Sequence, residues 1–350
     1  MKKIRVLIVD DSAFMRKVLT DILNRDYRIE VVGKARNGND CMKQLKTLNP
    51  DVVTMDVEMP HMDGLEALEV IMKEHPVPVV MVSSLTKQGA ESTIKAMTLG
   101  AVDFIEKPSG PISLDMEKVE DQVIKKVLVA SKATVSQKPT AKRQEPINNL
   151  AKHLVSISQQ PIIAIGTSTG GPRALDRVIT QLPEDLPCPI VIVQHMPKGF
   201  TRSLADRLNK QSKVQVKEAE HEEVLKNGCA YIAPGGEHLT IVRKGKHLHA
   251  VLDSSEPIYG HRPSVNRMFL SLSEVENLQV ISVIMTGMGA DGTDGLVELK
   301  KKKTNTLCIA EAEESCVVFG MPKAAIKSGL ADNIAPVSEI SQLLTKALGK

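Results

Sequence analysis

Short β-branched runs alternate with amphipathic stretches from the start of the chain, and that alternation restricts it to folds built on parallel sheets. The runs fall at 4–9 (IRVLIV), 29–33, 51–55 (DVVTM), 77–82 (VPVVMV) and 102–105, and helical patterns occupy 13–24, 38–48, 64–74, 88–99 and 113–131. A strand that is apolar along its length is buried on both faces, and one joined to the next through a helix runs parallel to it. The spacing predicts a five-stranded parallel sheet, covered by helices on both sides, over residues 1–131.

The texture changes at 132–160 (KATVSQKPTAKRQEPINNLAKHLVSISQQP), where Pro, Ser, Gln, Lys and Thr show weak periodicity. This is the composition of an inter-domain linker, with room for a short helix at 147–157. Alternation resumes at 161. Strands are predicted at 162–166, 190–194, 280–285 and 306–310, with helices at 172–182, 199–209, 291–300, 322–328 and 338–348. Short strands with turn residues across 214–251 read as a β-hairpin region. The expectation for 161–350 is a doubly wound, mostly parallel α/β domain with a β-hairpin insertion. A total of 350 residues suits two domains.

Composition excludes several functions. The net charge of +3, the absence of Trp, and only 3 Tyr and 5 Phe argue against a nucleic-acid surface. The 5 cysteines are odd in number and never form CxxC, which disfavours a disulfide framework or a structural zinc. The opening MKKIRVLIVDDSAF is too acidic and its apolar run too short for a signal peptide, and no apolar stretch reaches membrane-spanning length. A cytoplasmic protein without direct membrane insertion is expected.

Asp10 and Asp11 follow the first predicted strand and Asp56 the third. In a doubly wound sheet such strand ends lie side by side at the crevice where ligands bind. Three carboxylates there repel one another, and an oxygen-only ligand set favours Mg²⁺. Ser83 and Lys107 follow the fourth and fifth strands, adding a hydroxyl and an ammonium to the same edge. Asp11 alone fits a helix cap; matching residues at four strand ends do not.

The segments VDDS (9–12), MDVEMPHMDG (55–64), VSS (82–84) and EKPSG (106–110) resemble the receiver domain of two-component response regulators, a flavodoxin-like fold. The resemblance implies that Asp56 accepts phosphate from a histidine kinase. It implies that Asp10, Asp11, Asp56 and the backbone carbonyl of Glu58 hold Mg²⁺. Ser83 is then the switch hydroxyl, Lys107 the phosphate partner and Phe104 the aromatic that moves with them.

In the second half, Gly166-Thr-Ser168-Thr-Gly170 matches GxSxG between a predicted strand and helix, which exposes a serine hydroxyl at the sheet edge. A P-loop requires Lys after its last glycine, whereas Pro172 and Arg173 stand here; a phosphate-binding helix start remains open. A hydroxyl nucleophile needs a base and an orienting acid. His195 directly follows strand 190–194, and Asp291 lies in TGMGADG (286–292), just past strand 280–285. Singly, these fit a core histidine and a helix cap; together with Ser168 they fit a triad. The chain order Ser, His, Asp differs from the Ser, Asp/Glu, His of lipase-type folds. Gly287 and Gly289 let backbone N–H groups approach a substrate oxygen, as part of an oxyanion hole.

IGTSTGGP (165–172), QHMPKGFTRSLADRLN (194–209), APGGEHL (233–239), RPSVN (262–266) and TGMGADG (286–292) resemble the catalytic domain of the chemotaxis methylesterase family, CheB. With the receiver, the resemblance spans nearly the whole chain. It implies hydrolysis of glutamate γ-methyl esters on methyl-accepting chemoreceptors, deamidation of receptor glutamines, the triad Ser168, His195 and Asp291, and the Met288 amide as oxyanion donor. It implies no cofactor for the esterase. Thr167 stands where the family commonly has Ala, and Ala290 where Asn is common. The rival reading is a non-enzymatic two-component regulator with a binding output domain. Low charge, scarce aromatics and the lack of a helix-turn-helix pattern disfavour a DNA-contacting one.

Overall fold

The computed structural model describes residues 2–84, 86–107, 116–135 and 159–349, and the chain divides into two compact units, Met1–Gln137 and Lys138–Lys350. The helix expected at 147–157 lies outside the described residues.

The first unit is the expected parallel sheet. Strands β1 (Ile4–Val9), β2 (Ile29–Ala35), β3 (Val52–Asp56), β4 (Val79–Ser83) and β5 (Asp103–Glu106) lie in the order β2-β1-β3-β4-β5, all pairs parallel. The strands β3 and β4 are buried throughout, as their unbroken apolar runs require. Helices α1 (Ala13–Leu23), α2 (Gly38–Leu48), α3 (Gly64–Glu74), α4 (Lys87–Leu99) and α5 (Met116–Ala130) cover the faces. Each of α1 to α4 starts on a side-chain cap; Asp63 and Glu66 form a full capping box on α3.

The second unit holds a seven-stranded parallel sheet in the order β14-β13-β12-β6-β7-β9-β8. Its members are β6 (Gln160–Thr167), β7 (Ile190–Gln194), β8 (Gln215–Glu218), β9 (Cys229–Ile232), β12 (Leu278–Ile284), β13 (Leu307–Glu311) and β14 (Asn333–Ala335). Strands β10 (His238–Lys244) and β11 (His247–Asp253) pair antiparallel as a separate hairpin. The hairpin is therefore confined to 238–253; β8 and β9 instead extend the main sheet in parallel. Helices α6 (Gly171–Ile179), α7 (Phe200–Gln211), α8 (Val265–Glu274), α9 (Thr293–Lys302), α10 (Met321–Lys327) and α11 (Val337–Ala347) flank it.

Register positions the chemistry. Thr167 pairs with Gln194, Gly166 with Ile284, and Ile284 with Ala310. The C-terminal ends of β7, β6, β12 and β13 are thus level, and the residues that follow each strand emerge side by side on one edge.

Candidate active site

The turn between β6 and α6, which carries Ser168, follows from small residues and a left-handed glycine. Gly170 has φ +78, and a Cβ there would also sit 2.6 Å from Val317. That allows β6 to turn sharply into α6, leaving Ser168 partly exposed at the edge. Beside it, His195 N–H donates to the Thr167 carbonyl at 3.2 Å. Gln194 braces both strand ends: its Nε2 donates to the carbonyls of Ser168 (3.0 Å) and His195 (3.2 Å). The Thr167 hydroxyl donates to Gln194 Oε1, so the threonine at the position of a common alanine adds a buried hydrogen bond.

His195 Nε2 lies 2.8 Å from Asp291 Oδ2. The carboxylate sits on the N-terminus of α8, where it accepts from Ser264 Oγ (2.8 Å), Val265 N (2.7 Å) and Asn266 N (3.0 Å). Burial pushes the Asp291 carboxyl up. Its bonds with His195, Asn266 and Val265 outweigh that and hold it below the usual carboxylate range. An ionised Asp291 accepts from Nε2–H, which leaves the lone pair of His195 on Nδ1. That atom is buried without a hydrogen-bond partner among the described residues. The nitrogen left with a free lone pair is therefore Nδ1.

Asn266 Oδ1 accepts from Gly292 N (3.0 Å) and Gly295 N (2.8 Å), fixing the segment that carries Asp291. Arg262 donates to the Ser254 and Ser255 carbonyls at 2.7 and 3.0 Å, holding the loop whose His261 packs flat against His195. The TGMG loop abuts Ser168: a Cβ on Gly287 would lie 2.8 Å from Ser168 Cβ. Met288 follows and is 37% exposed.

In the first unit, Asp10, Asp11 and Asp56 each offer an oxygen, all within 4.8 Å of one another. Asp10 Oδ2 is buried with no hydrogen-bond partner among the described residues, as a metal ligand's free lone pair would be. Burial, and then the charge of Asp56, push Asp10 up to about 6, while the Ser12 N–H and the Lys107 ammonium pull it back. The donor set fits a hard divalent cation. Lys107 Nζ lies 2.7 Å from Asp56 Oδ2 and 4.0 Å from Asp10 Oδ2. Ser83, the last residue of β4, is buried and donates to the Gly89 carbonyl at 3.1 Å. Phe104 is buried in β5, with Lys126 Nζ 4.8 Å from its ring centre. Glu58 is exposed, and its N–H donates to Asp56 Oδ1 at 3.3 Å.

Comparison with known proteins agrees with both halves. The CheB methylesterase family matches residues 163–344, and the response regulator receiver domain matches residues 6–117. The chain belongs to the CheB methylesterase family. The protein-glutamate methylesterase/protein-glutamine glutaminase of Geobacillus kaustophilus is 56% identical to it over 350 residues, 100% of each chain. The Bacillus subtilis protein of the same name is 48% identical over 355 residues, spanning 99% of each. The crystal structure of the Thermotoga maritima CheB methylesterase catalytic domain matches with a TM-score of 0.52 at 46% identity, covering 55% of this chain and 99% of that one.

Within this CheB chain, the fold brings Ser168, His195, Asp291 and the Met288 loop to one sheet edge, and Asp10, Asp11, Asp56, Ser83 and Lys107 to another. Sequence reasoning missed Gln194, Ser264 and the whole of α8. A signal for α8 was present: Ser264 precedes Val265, Met268, Phe269 and Leu272, a helical period that is buried in the structure.

Proposed function

We propose that this chain is a phosphorylation-regulated protein-glutamate methylesterase and protein-glutamine glutaminase that acts on methyl-accepting chemoreceptors and so serves adaptation in chemotaxis. Ser168 Oγ attacks the γ-carbonyl carbon of the methylated glutamate while His195 Nδ1 takes its proton. Asp291 holds the ring through Nε2–H and stabilises the imidazolium. The Met288 N–H donates to the developing oxyanion. Collapse breaks the bond to methoxide, which leaves as methanol with the proton from His195. Water, activated by the same nitrogen, then cleaves the acyl-enzyme to free glutamate and Ser168. With glutamine the leaving group is ammonia instead.

The observation that carries this reading is the His195–Asp291 pair, seated on the α8 N-terminus, with the free ring nitrogen left for a neighbouring serine. Family membership and the full-length likeness to named methylesterase/glutaminases support it.

The receiver half supplies control. Asp56 is the phosphate acceptor, with a chemotaxis histidine kinase as donor. Asp10, Asp11, Asp56 and the Glu58 carbonyl would hold Mg²⁺, which when bound neutralises charge on the incoming phosphoryl group. Lys107 pairs with a phosphoryl oxygen, and Ser83 and Phe104 respond to it. Residues 132–160 link the receiver (1–131) to the catalytic domain (161–350). The protein works in the cytoplasm, in keeping with the lack of any helix, among the described residues, long and apolar enough to cross a membrane. The test is methanol release from methylated receptor membranes: turnover is expected from the intact chain and not from Ser168→Ala.

A further inference from the structure

Glu311 ends β13, one strand beyond the triad's nearest strand, and is fully buried. A buried carboxylate is costly and calls for partners of its own. Its Oε2 accepts from Thr286 N at 2.7 Å, and its Oε1 from Ser315 Oγ at 2.9 Å. Ser315 Oγ in turn accepts from Val337 N at 3.0 Å, the first residue of α11.

Thr286 opens the TGMG loop and touches the nucleophile turn directly. Its carbonyl accepts from Ser168 N at 3.0 Å, and its Oγ1 donates to the Thr169 carbonyl at 3.0 Å. Val318 N donates back to Thr286 Oγ1 at 3.0 Å, and Gly287 N donates to the Val318 carbonyl at 3.0 Å. The Ser168 N–H is consumed by this brace, so it is not free to serve an oxyanion. The Met288 N–H that the proposed mechanism uses lies further along the same loop, and its placement depends on where Thr286 is held.

We infer that Glu311 is a positioning residue for the esterase reaction: through Thr286 it sets the spacing between the Ser168 turn and the Met288 oxyanion loop. This rests on the function proposed above. Glu311 touches no reacting atom; it fixes one peptide that both catalytic segments share. Burial raises its carboxyl to about 7, while Thr286 N–H, the Ser315 hydroxyl and the charge of Arg177 on α6 pull it back. Charged or neutral, it keeps an acceptor oxygen for Thr286, so reach matters more than charge.

The experiment sets length against charge in the intact chain. Glu311→Gln keeps the acceptor in place; Glu311→Asp keeps the charge and withdraws the acceptor by one methylene. In methanol release from methylated receptor membranes, E311Q is expected within about fivefold of the wild-type kcat. E311D should lose about 10- to 100-fold in kcat with KM within about twofold, since a misplacement near 1 Å costs on that scale. A wild-type kcat in E311D, a loss confined to KM, or a larger loss in E311Q than in E311D overturns the inference. If E311D does not fold, Ser315→Ala replaces it: a kcat reduced about threefold or more at unchanged KM is expected, and a wild-type kcat overturns the inference. Ser168→Ala in the same assay separates the two readings. Turnover there rejects the serine assignment and this inference with it; an inactive S168A beside an unimpaired E311D rejects this inference alone.

Discussion

The imidazole of His261 lies on that of His195 with ring centres 3.9 Å apart and planes 5° apart. The stack covers one face of the His195 ring and restricts its rotation about the bond to Asp291. Stacked rings contribute roughly 1 kcal/mol, which corresponds to about fivefold in rate if the support matters in the transition state. Replacement of His261 by Ala is expected to lower kcat by about that factor, and Phe, which preserves a flat ring, to restore most of it. Equal kcat in wild type and H261A would make the stack incidental.

Members of a triad act as a unit, so Ser168→Ala and His195→Ala should each cost on the order of 10⁴-fold or more in turnover. Methanol release by folded variants checks this. Gln194→Ala, which removes the brace between the two strand ends but no reacting group, should cost far less, about 10-fold.

Asp291 offers a stability test. Its folded pKa lies below the ordinary 3.8, so the stabilisation tied to its ionisation is complete above that value and is lost as pH falls through the folded pKa. Urea unfolding should show D291N less stable than wild type near pH 7, with the gap narrowing only below about pH 4. A gap that stays constant down to about pH 3 contradicts the depressed value. Activity of D291N should fall less than that of S168A.

Phosphate uptake from acetyl phosphate should require Mg²⁺ and cease in Asp56→Asn. Asp11→Lys should block it as well, by placing an ammonium among the oxygens that would hold the cation. Labelled phosphate retained on D56N at the wild-type rate would reject Asp56 as acceptor.

Much of this molecule can be read from residue order because its sites stand at strand ends, where a polar residue interrupts an apolar run. Asp10, Asp56 and Ser83 carry that signature, and Lys107 and His195 stand one residue past it, after Glu106 and Gln194. Gln194 and Glu311 end their strands in the same way, yet neither belongs to a familiar catalytic set, and their roles lie in hydrogen bonds that only the folded sheet creates. The direction of β8 and β9 was hidden because short strands between turn residues look alike whether parallel or antiparallel. Strand β14 is three residues long, too short to show alternation. Which nitrogen of His195 meets Asp291 is a matter of side-chain rotation, which no spacing records.

The central position of β6 has a consequence for how the protein is made. Its two neighbours in the sheet are β7, which follows closely, and β12, which begins at Leu278. A ribosome must therefore deliver more than 110 further residues after β6 before the catalytic edge can close. The receiver, whose sheet is complete by Glu106, has every strand partner in hand long before then, and domains fold as they emerge. Vectorial synthesis thus completes the receiver sheet before the strands that assemble the catalytic edge have all been made.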